Sequence, residues 1–143
     1  MLRLKIAYEE FLPIWNEIFF AKPKSEEFIA SLPAGIKRVM LSNVNQPHYE
    51  YIIGRFPEAI ALFGIENIIA SCMAGFIKPA KEIYEMAIKK TGALKENIIY
   101  VDDRVDLIDA ARSYGIQSVQ FNTIEQLRQE FKNLGIIAHA SAL

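Results

Sequence analysis

The chain has 143 residues, of which 52% are hydrophobic and 11% aromatic, so it can form one globular domain with a sizeable core. Its net charge of −1, with lysine and arginine spread along the sequence, argues against binding to DNA or RNA. One cysteine cannot form an internal disulfide, and no apolar run reaches the roughly 18 residues of a membrane span, so we expect a cytoplasmic protein without a membrane partner.

Two helices are predicted before the first strand. Apolar residues recur at spacings of three and four between about residues 8 and 20, which is typical of one helix face. Pro13 limits where this helix can begin, because proline is tolerated only near a helix start. After Pro23, Ser25 is a plausible N-cap for a second, short helix that runs through Leu32.

The rest of the chain alternates apolar stretches of strand length with helical patterns. The predicted strands are 36–41, 67–71, 98–102 and 118–121. Helices are expected through Tyr49 to Ile53 after a turn at 45–47, from Pro79 to Gly92, from Val105 to Gly115, and from Thr123 to about residue 134. Such alternation favours an α/β fold with a parallel sheet.

The strand at 98–102 ends in two adjacent carboxylates, Asp102 and Asp103. Ligands of open parallel sheets bind outside the carboxyl ends of the strands, and paired carboxylates with room for water suit Mg²⁺. The alternative is that Asp103 caps the next helix, with Asp106 favoured in its first turn by the helix dipole. The stretch by itself leaves both interpretations open.

Two more polar features are predicted at the same rim. Ser42 and Asn43 follow a strand end, and Lys78 lies at a junction between a loop and a helix. Each residue alone is more typical of an ordinary turn or an exposed surface. Together with the carboxylates, however, a hydroxyl, an amide and a lysine form a set that can bind and neutralise a phosphoryl group.

At this point the sequence resembles the haloacid dehalogenase (HAD) superfamily, in particular its phosphatase-like branch with a helical cap. The resemblance rests on V-M-L-S-N and the helix behind it, on G-F-I-K-P, and on I-Y-V-D-D-R with its following helix. These segments resemble the second, third and fourth motifs of the family. They lie at 39–43 with 48–52, at 75–79 with 82–84, and at 99–104 with 109–111 and 115–116.

The resemblance implies a three-layer, Rossmann-like core with a parallel sheet over residues 23–143, and a remnant of the helical cap over residues 1–22. It also implies that Ser42 and Asn43 bind phosphate. By the same resemblance Lys78 is both a phosphate-binding and a catalytic residue, and Asp102 and Asp103 hold Mg²⁺. The implied substrate is a small phosphorylated metabolite.

The family's first motif has no counterpart in this sequence. That motif is an apolar strand ending in Asp-x-Asp, and all four aspartates of this chain lie within residues 102–109. Because the first aspartate of that motif is the nucleophile, we expect this N-terminally shortened sequence to be inactive alone. The alternative is a non-catalytic HAD-like domain that binds phosphate compounds or a partner protein. A literal haloacid dehalogenase is disfavoured by the paired Asp102 and Asp103.

The resemblance also predicts a gap in the sheet, between the strand ending at Asp102 and the strand ending at Ser42, together with the loss of most of the cap. The flanking strands could close up, the gap could be filled by another chain or segment, or the protein could be an unstable fragment. Alternation of Leu2, Leu4 and Ile6 with basic residues makes the N-terminus a weak candidate for the missing strand.

Loss of the cap is also expected to expose an aromatic stripe on the first helix. We therefore predict self-association through Phe11, Trp15 and Phe19. A monomeric sedimentation profile at high protein concentration would contradict this prediction.

Two further residues receive structural interpretations. Cys72 follows a strand, and no histidine is placed beside it in a known motif, so we expect a small buried side chain. His48 is expected to be a polar residue of the outer rim or a helix-capping residue.

Overall fold

The structure is a computed structural model that describes residues 5–138. In its first half the elements are α1 (Tyr8–Asn16), α2 (Pro23–Ala30), β1 (Met40–Ser42), α3 (Gln46–Arg55), α4 (Pro57–Ala61) and β2 (Ile68–Ala70). In its second half they are α5 (Ser71–Ala74), α6 (Lys81–Thr91), β3 (Ile99–Asp102), α7 (Val105–Ser113), β4 (Gln117–Gln120) and α8 (Ile124–Asn133). None of the helices within residues 5–138 is both long enough and apolar enough to cross a membrane.

The four strands form two separate parallel pairs. Met40 of β1 lies opposite Ile68 of β2, and Ile99 of β3 lies opposite Gln117 of β4. The predicted α/β class with parallel strands is therefore confirmed. Within residues 5–138 each strand pairs on one edge only, as the predicted gap requires. Ile6 belongs to no strand, and Leu2 and Leu4 lie outside the described residues, so the N-terminus is not seen to fill the gap.

Helices cover both faces of the β3–β4 pair. Side chains of a strand alternate between its faces, and those of β3 follow this rule. On one face, Tyr100 packs against a cluster formed by Ile69, Ile83, Tyr84, Ala111 and Ile116, which we call the α6 cluster. On the other face, Val101 packs against a second cluster that includes Phe28 of α2 and Phe131 of α8. This arrangement is the expected three-layer core.

The α6 cluster also joins the two strand pairs. It contains Ile69 of β2 and is contacted by Val39 and Leu41 of the β1 segment as well as by Tyr100 of β3. Its centre is Ile83, whose side chain is fully buried. Because the two pairs share this core, their relative position does not depend on a hydrogen-bonded strand between them.

Most predicted helix ends agree with the structure. Thr123 caps α8 by accepting a hydrogen bond from the Gln126 amide at 3.0 Å, and Gly92 ends α6 with a left-handed φ of 69°. The predicted cap at Ser25 is wrong, because α2 begins at Pro23, where the fixed proline φ suits the first helical position. The first helix also ends earlier than predicted, at Asn16.

The aromatic stripe of α1 is not exposed as predicted. Phe11, Trp15 and Phe19 are half-buried, and the Trp15 and Phe19 rings lie 4.1 Å and 4.8 Å from the His48 ring, measured between centroids. His48 is thus a buried aromatic partner of this segment, only 7% exposed, and the rim position predicted for it is wrong. The exposed large hydrophobic side chains between residues 8 and 20 are Tyr8, Ile14, Ile18 and Phe20. Self-association stays a prediction.

Candidate functional site

The predicted site residues meet at one rim, where β1 and β3 end. Ser42 is the last residue of β1 and Asp102 is the last residue of β3. Lys78 lies in the loop between α5 and α6 and contacts both strand ends, through Asn43 on one side and Asp102 on the other. The three features that sequence placed at a common edge are therefore adjacent.

Lys78 and Asp102 form the ion pair at the centre of this rim. The Lys78 Nζ lies 2.7 Å from Asp102 Oδ2, and each side chain is only 9% exposed. A pair so shielded from water is screened less than a surface pair, and the loss of either partner leaves a charge in a poorly solvated place. The pair therefore holds the Lys78 ammonium group at the rim, where it would attract an anionic group.

Asn43 contacts the backbone of Lys78. Its Oδ1 accepts a hydrogen bond from the Lys78 amide at 2.7 Å, and its Nδ2 donates to the Lys78 carbonyl at 2.9 Å. The family resemblance implied a phosphate-binding role for Asn43. In the structure its Oδ1 and one Nδ2 hydrogen are already used to hold the loop that carries the lysine.

Tyr100 is a site residue that the sequence analysis missed. Its hydroxyl donates a hydrogen bond to Asp102 Oδ2 at 2.5 Å, the same oxygen that contacts Lys78. Burial, and then the neighbouring Asp102 carboxylate, raise the pKa of Tyr100 well above its usual 10.0, so it remains a donor. The sequence could have indicated this contact, because Tyr100 and Asp102 are two residues apart on one strand, and residues so spaced share a face.

Asp103 is exposed, and within residues 5–138 its carboxylate makes no hydrogen bond or ion pair. The proposed capping role for Asp103 is not seen. Helix α7 begins after Arg104, and the Arg104 amide donates instead to Asp102 Oδ1 at 3.0 Å. The Asp103 carboxylate is therefore available for a ligand from solvent.

The two carboxylates fit part of a Mg²⁺ site. Proteins bind this ion through one or two carboxylates plus waters and substrate phosphates, and Asp103 supplies an exposed carboxylate. Asp102 could add its Oδ1, which accepts one hydrogen bond from the Arg104 amide, while its Oδ2 already accepts from Lys78 and Tyr100. Within the described part of the chain, however, no group of three or more histidine, cysteine, aspartate or glutamate side chains could hold a metal ion. The donor set is thus compatible with the metal but incomplete by itself.

Ser71 ties the end of β2 to the segment after β1. Its hydroxyl donates to the Val44 carbonyl at 3.1 Å and accepts from the Val44 amide at 2.9 Å. The next residue, Cys72, is exposed, so the prediction of a buried thiol is wrong. The reason is that β2 ends at Ala70, and the chain turns into the short helix α5 before Cys72 can enter the core.

The environment of Asp102 predicts a pH dependence of stability. Burial alone would raise the pKa of Asp102, but hydrogen bonds from Lys78, Tyr100 and the Arg104 amide outweigh it and hold the pKa below the usual 3.8. The folded state therefore favours the carboxylate. Its contribution to stability is complete above the unfolded pKa of about 3.9 and is lost as the pH falls through the lower folded value.

Urea unfolding of wild type and Asp102→Asn between pH 7 and pH 2.5 measures this contribution. The difference in unfolding free energy should be constant at neutral pH and should shrink below about pH 4. Asp109→Asn removes an exposed carboxylate and controls for the loss of one charge. A difference between wild type and Asp102→Asn that stays constant down to pH 2.5 would contradict the role given to Asp102.

Comparison with known proteins gives a family match and related folds. The family model for haloacid dehalogenase-like hydrolases matches residues 5–115. Drimenol cyclase drtB of Aspergillus calidoustus is 28% identical over 94 residues, which are 66% of this chain and 17% of that protein. The chain therefore spans about a sixth of this curated relative.

Solved structures share the fold at low sequence identity. A predicted HAD-like family hydrolase from Porphyromonas gingivalis superposes with a TM-score of 0.76 at 20% identity, over 89% of this chain and 66% of that one. A HAD family enzyme from Bacteroides thetaiotaomicron, an aspartate-to-alanine mutant in complex with magnesium and inorganic phosphate, gives 0.72 at 16% identity, over 85% and 66%. An uncharacterized protein from Corynebacterium glutamicum gives 0.62 at 17% identity, over 95% and 90%.

Proposed function

This chain belongs to the haloacid dehalogenase-like hydrolase family, and from that premise we propose that it carries the lysine and carboxylate side of a Mg²⁺-dependent phosphatase site. The proposed substrates are small phosphorylated metabolites. The observation that carries the proposal is the Lys78–Asp102 pair at the rim, with Asp103 open to solvent beside it. A related enzyme that binds magnesium and inorganic phosphate supports the choice of ligands.

The proposed roles follow from the chemistry of each group. Lys78 presents an ammonium group that neutralises the charge of a transferring phosphoryl group. Ser42, at the end of β1, offers a hydroxyl that can donate to a phosphate oxygen. Asp102 and Asp103 would hold Mg²⁺, which supplies further charge stabilisation when bound. Asn43, proposed from sequence as a phosphate ligand, has one Nδ2 hydrogen left for that purpose.

The proposal includes a consequence for the 143-residue polypeptide tested alone. Covalent phosphoryl transfer needs a nucleophile, which in the resembled family is an aspartate at the end of a strand before Ser42. No aspartate precedes Asp102 in this sequence. We therefore expect phosphate binding without turnover. The division into a cap remnant, 1–22, and a core, 23–143, and the cytoplasmic location likewise stay predictions.

The first experiment separates binding from turnover. Hydrolysis of an aryl phosphate with Mg²⁺ is measured for wild type and Asp103→Asn, and inorganic phosphate is titrated into ¹⁵N-labelled wild type by NMR. We expect no turnover by either protein, and phosphate-dependent shifts confined to the amides around Ser42, Lys78 and Asp102. Absence of those shifts would overturn the phosphatase proposal. Mg²⁺-dependent turnover that disappears in Asp103→Asn would contradict the expected inactivity of the polypeptide and would support Asp103 as a metal ligand.

The second candidate is a non-catalytic HAD-like domain that binds phosphate compounds or a partner. It is favoured by the position of all four aspartates after residue 101. The two candidates differ when the gap between β1 and β3 is filled. An apolar strand segment ending in Asp-x-Asp, added at the N-terminus, should restore Mg²⁺-dependent turnover if the site is a phosphatase site. Continued inactivity of a folded, phosphate-binding fusion would favour the non-catalytic domain.

A further inference from the structure

A continuous series of hydrogen bonds joins the ends of β1 and β3 across the gap between the two strand pairs. Asn43 holds the backbone of Lys78, the Lys78 ammonium contacts Asp102, and Tyr100 donates to the same Asp102 oxygen. We infer that Asn43 and Tyr100 are positioning residues that fix the Lys78–Asp102 pair from its two sides. A role of these two residues in catalysis rests on the proposed phosphatase function. Their effect on the position of Lys78 and Asp102 can be tested separately.

Asn43 determines where the Lys78 backbone lies. One planar amide engages both the N–H and the C=O of the same residue, at 2.7 Å and 2.9 Å, and so restricts both translation and rotation of that peptide segment. The two residues are 35 positions apart in the sequence. These contacts therefore tie the loop before α6 to the end of β1, which the loop's internal hydrogen bond from the Ala80 amide to the Ile77 carbonyl cannot do.

Tyr100 determines how the partner carboxylate is oriented. Its hydroxyl and the Lys78 ammonium share Asp102 Oδ2, and the Arg104 amide occupies Oδ1, so rotation of the carboxylate breaks at least one contact. The Lys78 Nζ also lies 5.8 Å from the centroid of the Tyr100 ring, within the range of a cation–π interaction. Tyr100 therefore contacts both members of the pair.

These geometries argue that Asn43 acts through Lys78 and not as a direct phosphate ligand. A residue that contacts the substrate directly needs hydrogen-bond donors that face the site. Asn43 instead uses its Oδ1 and one Nδ2 hydrogen to hold the loop that carries Lys78. Loss of the Asn43 side chain should therefore act on a bound anion indirectly, by making the position of Lys78 less fixed. The same logic predicts that Tyr100→Phe, which keeps the ring, loosens the pair through the missing hydroxyl alone.

The test follows the Lys78 ammonium group by lysine side-chain ¹⁵N NMR, with the signal assigned by its loss in Lys78→Met. Asn43→Ala and Tyr100→Phe should each speed hydrogen exchange of this ammonium about fivefold, the equilibrium effect of one ordinary hydrogen bond. The Leu127 amide is the internal reference, because it donates to the Thr123 carbonyl at 3.0 Å and belongs to a residue that is only 6% exposed, in the second cluster. Its exchange should be unchanged. Tyr114→Phe is the matched control, because it also removes one tyrosine hydroxyl that donates a hydrogen bond close to Lys78. In wild type the Tyr114 hydroxyl donates to the Pro79 carbonyl at 3.2 Å, one residue from Lys78.

If neither Asn43→Ala nor Tyr100→Phe changes the hydrogen-exchange rate of the Lys78 ammonium, the inference is overturned. If only one variant changes this rate, the inference is overturned for the other residue. Equal acceleration at Lys78 and Leu127 would also overturn it, because global destabilisation would then explain both. A parallel titration with inorganic phosphate separates the two proposals. If wild type binds no phosphate, the phosphatase proposal fails, while the hydrogen-exchange result for the Lys78 ammonium still stands. If Asn43→Ala weakens phosphate binding without changing Lys78 exchange, Asn43 contacts the anion directly.

Discussion

Lys78→Met should lower the free energy of unfolding by about 3 kcal/mol, because it leaves the Asp102 carboxylate without its ionic partner in a poorly solvated place. The side chains of the pair are each 9% exposed, so water cannot replace the lost contact. Urea unfolding at pH 7 measures the change. Asp102→Asn in the Lys78→Met background should recover part of the loss, since both charges are then absent.

The chain offers a matched control three residues further along. Lys81 pairs with Glu85 at 3.0 Å, but these side chains are 62% and 57% exposed. Lys81→Met should therefore change stability much less than Lys78→Met does, because exposed ion pairs contribute little. Similar losses in Lys78→Met and Lys81→Met would show that the site pair is solvated in solution, and would remove the basis for a held lysine at the rim.

Ile83→Ala should cost about 3 to 4 kcal/mol, within the range for a fully buried aliphatic residue cut back to alanine. Ile83 belongs to the α6 cluster, which packs against residues of both strand pairs, so the cavity would lie where the two halves of the sheet meet. Urea unfolding again provides the measurement, and a single transition is expected because the two pairs share one core.

Ile77→Ala is the control for Ile83→Ala, since Ile77 is 62% exposed and its truncation should change stability by less than about 0.5 kcal/mol. A loss below about 1 kcal/mol in Ile83→Ala, or two separate transitions in wild type, would contradict a common core. The position of Lys78 relative to Asp102 would then not follow from the packing of α6.

Element types were predictable because their causes are local. Strands β2, β3 and β4 and the helices α3, α6, α7 and α8 lie where apolar periodicity and terminal residues indicated. Strand β1 is the exception, since it covers only Met40–Ser42 where a strand over 36–41 was predicted. Thr123 and Gly92 mark helix ends in the structure as they do in the sequence. The short helix α4 was not predicted, because its five residues are too few to establish a period, and Ser25 was misread because Pro23 starts α2 first.

Side-chain environments were predicted less well, because burial depends on contacts between distant segments. His48 is enclosed by Trp15 and Phe19 of the N-terminal region, more than 25 positions away along the printed sequence. This packing leaves the stripe that was expected to be exposed half-buried. Cys72 shows the opposite error, since the turn into α5 leaves it in solvent.

The sequence alone determined which chemical groups stand at the rim. A strand that ends at Asp102, a strand that ends at Ser42 and a lysine before α6 must meet at one edge, since parallel strands place their carboxyl ends together. Only the tertiary structure decided what those groups do to one another. It pairs Lys78 with Asp102, directs Asn43 to the Lys78 backbone, adds Tyr100 and leaves Asp103 exposed, because hydrogen bonds depend on positions set by packing across the whole core.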